Sequence, residues 1–136
     1  MRQVSFRLRK GQFLKEEIEK AAVEHNVGAG VLVSMVGGLE QITFRLSGAT
    51  SGDDHQYLTV QGPLEIVGGT GTISREGCHI HIVVTDREGK AIGGHLKDGC
   101  PVFFTVEVVF LVFDDVEYHR VMDESTGYKE LTIEKK

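Results

Sequence analysis

The sequence predicts a single domain, residues 1–136, that contains one helix and many β-strands. Apolar residues recur at helical spacing over residues 13–25. Most other apolar runs are rich in Val, Ile and Thr or alternate with polar residues, and glycine-containing turns separate them. A chain of 136 residues is long enough for one core and too short for two. We expect that core over about residues 4–113, followed by a polar tail at 114–136.

The first two elements are a strand at residues 4–9, where apolar residues alternate with arginines, and the helix at 13–25. Asn26 and Gly28 form the stop signal of the helix. His25 at its carboxyl end is expected to cap carbonyl groups or complement the helix dipole rather than to bind a metal.

Two β-rich runs, residues 30–36 and 39–46, flank Gly37-Gly38. This dipeptide type closes two-residue hairpins, so we predict a hairpin here. A polar loop at 47–54 follows, and His55 beside it is expected at the surface rather than as a fourth metal ligand.

Residues 57–60 are predicted as a short strand, and Gly62-Pro63 as a turn into a strand at 64–67. The glycine-rich residues 68–72 superficially resemble a phosphate-binding loop. Neither a helix nor a P-loop lysine follows them, so we interpret these glycines as a sheet bend or a close approach of two backbones.

Residues 102–113 are mostly apolar at both alternating positions. We expect this strand to be buried on both sides, either in the wall of a closed barrel or against another subunit. Its one charged residue, Glu107, is expected to be exposed or paired.

His119 in the polar tail is expected at the surface. The tail itself is predicted to dock through apolar anchors, which are Tyr118, Val121, Met122, Tyr128, Leu131 and Ile133.

Three of the six histidines fall in the most informative part of the chain. Residues 79–84 are predicted as a strand, which places His79 and His81 on the same face. A three-residue hairpin loop at 87–89 would pair Asp86 with Lys90 and thereby set His81 opposite His95.

Three imidazoles at this spacing can meet around one ion, because cross-strand Cβ atoms lie about 5 Å apart. Neutral imidazole suits zinc, iron, copper and nickel, and three protein ligands with an open position are typical of catalytic zinc sites. Gly93 and Gly94 are expected to kink or bulge the backbone before His95. The alternative is three polar-face histidines beside a glycine turn. Their common face favours a divalent transition metal bound by His79, His81 and His95, with zinc as the first candidate.

Two cysteines permit at most one disulfide, and we expect free thiols at Cys78 and Cys100. Cys78 should point away from the histidine face.

The formal charge of −5 disfavours binding to duplex DNA, and the basic residues near the amino terminus fit one solvated strand face. The sequence shows neither a signal-peptide pattern nor an apolar run of membrane-spanning length, which predicts a cytoplasmic location without membrane contact.

The chain resembles the plant and prokaryote conserved (PPC) domain from Phe6 to about Phe113. The segments that carry this resemblance are, in order, Gly62-Pro63-Leu64-Glu65-Ile66, Gly71-Thr72-Ile73, His79-Ile80-His81, Gly93-Gly94-His95-Leu96 and Glu107. The His-x-His and Gly-Gly-His pair is the specific part.

The resemblance implies an α+β fold, a strongly bent and mostly antiparallel β-sheet with one main helix packed against it. It also implies a homotrimer and a metal site at His79, His81 and His95. In land plants the domain follows AT-hook motifs in DNA-binding proteins. This sequence has no AT-hook, so we do not expect DNA binding by this chain alone.

Two functions fit these features. The first is a metal-bound trimeric binding or regulatory module, in which loss of the metal lowers stability or alters assembly. The second is a small metal-dependent hydrolase or lyase that uses the open position for water. Such an enzyme would need a general base, for which Glu65 and Glu107 are the candidates.

Overall fold

The computed structural model describes residues 1–48 and 56–136. His55 and most of the predicted loop at 47–54 lie outside the described residues. The elements, in chain order, are β1 (Arg2–Arg9), α1 (Leu14–Glu24), β2 (Ala29–Arg45), β3 (Tyr57–Ser74), β4 (Gly77–Thr85), β5 (Ala91–Leu96), β6 (Val102–Val112), β7 (Val116–Asp123) and β8 (Tyr128–Lys135).

Six strands form one antiparallel sheet in the order β1-β6-β2-β3-β4-β5, and β7 pairs with β8 in a separate two-stranded sheet. The edge strand β5 also pairs with β2, through Phe44↔Leu96 and Arg45↔His95. The sheet is therefore bent far enough for β2, β3, β4 and β5 to close on one another. This architecture confirms the predicted α+β fold, a bent antiparallel sheet with a single helix.

The helix α1 packs one face on the sheet. Its buried residues are Leu14, Ile18, Ala21 and Ala22, which recur at the spacing of one helical face. The helix ends at the exposed C-cap residue His25, whose carbonyl accepts a hydrogen bond from the Arg2 guanidinium at 2.9 Å. With eleven residues α1 is short, and within residues 1–48 and 56–136 no helix has the length and apolarity to cross a membrane.

The predicted hairpin at Gly37-Gly38 is wrong, because β2 runs without interruption through both glycines. Gly37 pairs with Val106 and Gly38 with Phe103, so β6 carries two extra residues at this point, a β-bulge. Gly37 has φ +151°, and a Cβ atom there would overlap the Thr105 carbonyl oxygen. These glycines therefore allow a close approach of two strands rather than a chain reversal.

The bulge on β6 turns Phe104 outward. Val102, Val106 and Val108 are buried, whereas Phe104, at φ +65°, is 75% exposed and breaks the predicted alternation. Glu107 is exposed, as one of its two predicted alternatives stated. The second face of β6 is only half-buried in a single chain.

The predicted turn at Gly62-Pro63 is also wrong. Both residues lie inside β3, joined by a cis peptide bond, and the strands predicted on either side form one long strand. The glycines further along β3 do mark a close approach, since a Cβ atom at Gly71 would overlap the His79 carbonyl oxygen. That part of the interpretation is confirmed.

The polar tail folds as a β7–β8 hairpin, which the sequence did not predict. It docks on the main sheet through two backbone hydrogen bonds of Tyr118, to Gly28 at 2.9 Å and from Arg75 at 3.2 Å. The Arg75 guanidinium also donates two hydrogen bonds to the Glu117 carboxylate, at 2.8 and 2.7 Å. Three predicted anchors, Val121, Met122 and Ile133, are 52%, 57% and 64% exposed and were wrong as anchors.

His119 has a partner that the sequence did not reveal. Its Nδ1 lies 3.0 Å from Glu76 Oε1, and Glu117 and Glu134 stand near its Nε2. The hydrogen bond to Glu76 raises the pKa of His119, and the same bond lowers the pKa of Glu76. His119 is thus a partly exposed residue that helps to attach the hairpin.

This ion pair makes the attachment of the hairpin dependent on pH. Because the folded state raises the pKa of His119, its contribution to stability is fully present below the ordinary value of about 6.5 and is lost as pH rises through the raised pKa. We expect an NMR titration to show a raised His119 pKa that moves back toward the ordinary value in Glu76→Gln. An identical His119 pKa in both proteins would contradict this assignment.

Candidate metal site

The three predicted histidines come together on neighbouring strands. His79 and His81 lie on β4, and His95 lies on β5 directly opposite His81. The turn between these strands sets that register, with the Asp86 amide donating to the Lys90 carbonyl at 3.0 Å as predicted. Asp86 Oδ1 also accepts hydrogen bonds from the Glu88 and Lys90 amides at 2.9 and 3.0 Å, which fixes the loop.

Strand alternation explains why the imidazoles share a face. Ile80, Ile82 and Val84 of β4 are buried in the core, so His79 and His81 point outward. Gly93 and Gly94 do not bulge the backbone, since β4 and β5 pair without a register shift. The expected bulge is therefore wrong. A Cβ atom at Gly93 would lie 2.7 Å from the Ile82 carbonyl oxygen, so this glycine allows close packing of the two strands, as Gly37 does between β2 and β6.

The geometry of the cluster suits one metal ion. The Nε2 atoms of His79 and His81 lie 3.2 Å apart, and a ring nitrogen of each histidine lies within 4.8 Å of the others. Tetrahedral zinc with Zn–N bonds of about 2.05 Å needs nitrogens roughly 3.3 Å apart. Two of the nitrogens are already at this spacing, and His95 needs to approach by at most about 1.5 Å, within the reach of a side-chain rotation.

The surroundings of His79 and His95 keep both rings neutral, as metal binding requires. Burial is the main cause that lowers the pKa of His95 to about 3, followed by the nearby positive charge of Arg45. Burial and then the charge of Arg120 lower the pKa of His79. Both rings therefore keep a lone pair available at neutral pH.

Arg45 makes one specific contact with this cluster. Since Arg45 pairs with His95 across β2 and β5, its Nη2 reaches His95 Nδ1 at 3.2 Å. Arginine is always a donor, so His95 accepts this hydrogen bond with its lone pair. A neutral imidazole has only one lone pair. His95 therefore cannot accept from Arg45 and bind a metal at the same time.

A cavity of about 280 Å³ opens beside His79 and His95. Its outer wall comes from the tail hairpin, which contributes Arg120, Tyr128 and Glu130. Arg120 Nη2 donates to Thr72 Oγ1 at 2.8 Å, and Thr72 is the cross-strand partner of His79. Sequence reasoning missed these residues because only the docking of the hairpin brings them to the histidines.

The predicted general bases lie elsewhere. Glu65 pairs with Thr85, five residues along β3 from the partner of His81, which corresponds to about 16 Å at 3.3 Å per residue. Glu107 pairs with Val36 of β2, which lies nine residues, or roughly 30 Å along the strand, from Arg45, the partner of His95. The structure brings neither carboxylate to the histidines.

The two cysteines are free thiols outside the cluster. Burial raises the pKa of Cys78 to about 12 and that of Cys100 to about 11, so both stay protonated. Cys78 packs against the core on the face opposite the histidines, as predicted. A thiolate ligand from either residue is therefore disfavoured.

Comparison with known proteins agrees with this fold. Residues 1–114 match the model of the Plants and Prokaryotes Conserved (PCC) domain, which is the same family as the PPC domain that the sequence resembles. The chain belongs to this family. The match ends where the tail hairpin begins, so the three histidines lie inside the PCC region and Arg120, Tyr128 and Glu130 lie beyond it.

The PCC chain is also similar to part of a larger protein. It is 38% identical over 135 residues to the bifunctional protein GlmU of Synechococcus sp. (strain JA-3-3Ab), a match that covers 99% of this chain and 21% of the relative. The chain therefore spans about a fifth of the length of the curated relatives it matches.

Solved structures share the PCC fold over nearly the whole chain. A hypothetical protein from Salmonella cholerae-suis has a TM-score of 0.90 at 26% identity, with 99% of this chain and 94% of that chain covered. A metal-containing protein from Archaeoglobus fulgidus has a TM-score of 0.78 at 25% identity, with 97% and 94% covered. A protein from Ralstonia eutropha named as a DNA-binding candidate has a TM-score of 0.78 at 23% identity, with 94% and 89% covered, and at that identity shows the fold alone.

Proposed function

We propose that this PCC domain is a metal-binding module in which His79, His81 and His95 hold one divalent transition metal, with zinc as the first candidate. The observation that carries the proposal is the 3.2 Å spacing of the His79 and His81 Nε2 atoms, with His95 beside them on the paired strand. Imidazole donors suit zinc, and three of them leave a fourth position open. The metal-containing relative from Archaeoglobus fulgidus supports the same assignment.

A binding or regulatory role is favoured over an enzymatic one for two reasons. Neither Glu65 nor Glu107 lies at the cluster, so the predicted base is missing from the site. The same domain also matches about a fifth of the length of a bifunctional protein, as expected for a module that occurs in combination with other domains. Hydrolase or lyase activity is the alternative, with Glu130 in the cavity wall as the carboxylate whose charge acts on His79. Turnover that depends on both metal and His81 would favour that alternative.

The metal assignment is tested by reloading apo protein with zinc and measuring the metal per chain by elemental mass spectrometry. We expect about one zinc per chain, following the three-ligand site. A protein that stays free of metal after reloading would refute the proposal. His25→Ala is a suitable control, because His25 is exposed at the end of α1 and outside the cluster.

A homotrimer is the proposed assembly. An apolar cleft of about 630 Å³ lies between β2, β3 and β6, and its lining includes Val36, Leu64, Ile66, Phe103 and Phe104. Val36 is 53% and Phe104 75% exposed in a single chain. Exposed apolar patches of this kind mark association surfaces. The family resemblance supplies the number three, and the cleft supplies the physical motive.

DNA binding is not the favoured role for this chain. The formal charge of −5 opposes the phosphate backbone, and Lys and Arg contacts provide most of the affinity of DNA-binding domains. Sequence-selective binding to duplex DNA at physiological salt would overturn this view.

A further inference from the structure

The cavity beside the histidines carries two arginines without acidic partners. Within residues 1–48 and 56–136, neither Arg45 nor Arg120 has a carboxylate oxygen at salt-bridge distance. Arg45 contacts the His95 ring and stacks over the Tyr128 ring at 4.7 Å from its centroid. Arg120 donates to the Thr72 hydroxyl. Both side chains are half-buried, where a guanidinium group without an acidic partner favours an anion.

The other charged groups around the cavity are largely engaged. Lys15 pairs with Glu19 at 3.0 Å and with Asp98 at 3.1 Å. Glu76 accepts hydrogen bonds from His119 and from the Arg120 amide. Glu130 is the carboxylate that would oppose an anion, and Lys129 also lines the wall. The cations that line the cavity are Lys15, Arg45, Arg120 and Lys129, against the carboxylates Glu19, Glu76 and Glu130.

Metal binding would release one of these arginines. His95 has a single ring lone pair, which accepts the hydrogen bond from Arg45, so a metal held by His95 would leave the Arg45 guanidinium free to face the cavity. The cavity of about 280 Å³ equals the space of roughly nine waters at about 30 Å³ each, which is room for a small ligand.

We propose that Arg45 and Arg120 form, with the metal site of the three histidines, a binding site for a small ligand that carries an oxyanion, either a carboxylate or a phosphate. The inference rests on the proposed metal-binding function. The tail hairpin supplies Arg120 from outside the PCC region, so the hairpin makes this site specific to chains that carry it. By linkage, metal and oxyanion should each strengthen the binding of the other.

The test uses the full chain in apo and zinc-loaded forms, titrated by calorimetry with inorganic phosphate and, separately, with acetate. We expect saturable binding of at least one oxyanion to the zinc-loaded protein. The loss of a hydrogen bond to a charged group predicts binding about tenfold or more weaker in the apo protein and in Arg120→Gln. Glu130→Gln should bind more tightly, because it removes a like charge. Arg7→Gln, at an exposed position of β1 outside both this cavity and the apolar cleft, is the matched control and should bind like the wild type.

The two probes distinguish the two kinds of oxyanion. Binding of phosphate without binding of acetate would indicate a phosphate ligand, and binding of acetate as well would indicate that the site also accepts a carboxylate. Stoichiometric zinc with no saturable oxyanion binding, or equal binding by wild type and a folded Arg120→Gln, would overturn this inference and leave the metal assignment intact. Failure to bind zinc would overturn both.

Discussion

Replacing His81 with alanine is expected to abolish stoichiometric zinc binding. His81 is a neighbour of both other histidines, with its Nε2 3.2 Å from that of His79 and its backbone opposite His95. Two remaining imidazoles on separate strands offer too few donors to compete with water and buffer, so we expect affinity to fall by roughly a hundredfold or more. Zinc titration against a chromophoric chelator measures this loss directly.

The same substitution should have little effect on the apo fold, because His81 is exposed. Zinc is expected to raise the thermal midpoint of the wild type and to leave that of His81→Ala unchanged, since a ligand stabilises only the state that binds it. His25→Ala should behave like the wild type in both measurements. Equal zinc affinity in His81→Ala and the wild type would show that the ion lies elsewhere.

Replacing Phe104 with aspartate is expected to break the proposed trimer into single chains. The β6 bulge holds Phe104 at φ +65° with 75% of its surface exposed. Such a backbone conformation costs about 1–3 kcal/mol in a residue other than glycine, which is consistent with a functional surface position. A buried aspartate at each contact between subunits should weaken association by roughly a hundredfold or more.

Light scattering after size exclusion measures the outcome. The wild type should have three times the chain mass of 15.0 kDa, and Phe104→Asp the mass of one chain. Val121→Asp is the matched control, because Val121 is a 52% exposed apolar residue on the tail hairpin, away from the cleft. A wild type with the mass of one chain, or a trimeric Phe104→Asp, would contradict the assignment of this surface.

Local patterns were sufficient for the elements whose partners are close in sequence. The pairing of His81 with His95 follows from the short turn at Asp86 and Lys90, and strand alternation places His79 beside them. The helix boundaries were correct to within one residue, because the apolar spacing and the stop signal at Asn26 belong to the same segment.

Features set by distant strands could not be predicted in this way. The sequence around Gly37 is typical of a hairpin turn. In the structure Gly37 instead packs against the backbone of Thr105 in β6, and nothing near Gly37 in sequence indicates that contact. The contact between Arg45 and His95 requires the sheet to close through β2 and β5. Arg120 reaches the cavity only because Tyr118 and Glu117 dock the tail hairpin on Gly28 and Arg75.

The most direct test of the metal site is X-ray absorption spectroscopy at the zinc edge of the reloaded protein. We predict a first shell of nitrogen and oxygen at about 2.0–2.1 Å that includes three imidazoles, and two imidazoles or none in His81→Ala. A sulfur scatterer at about 2.3 Å, or fewer than three imidazoles in the wild type, would contradict a site built from His79, His81 and His95.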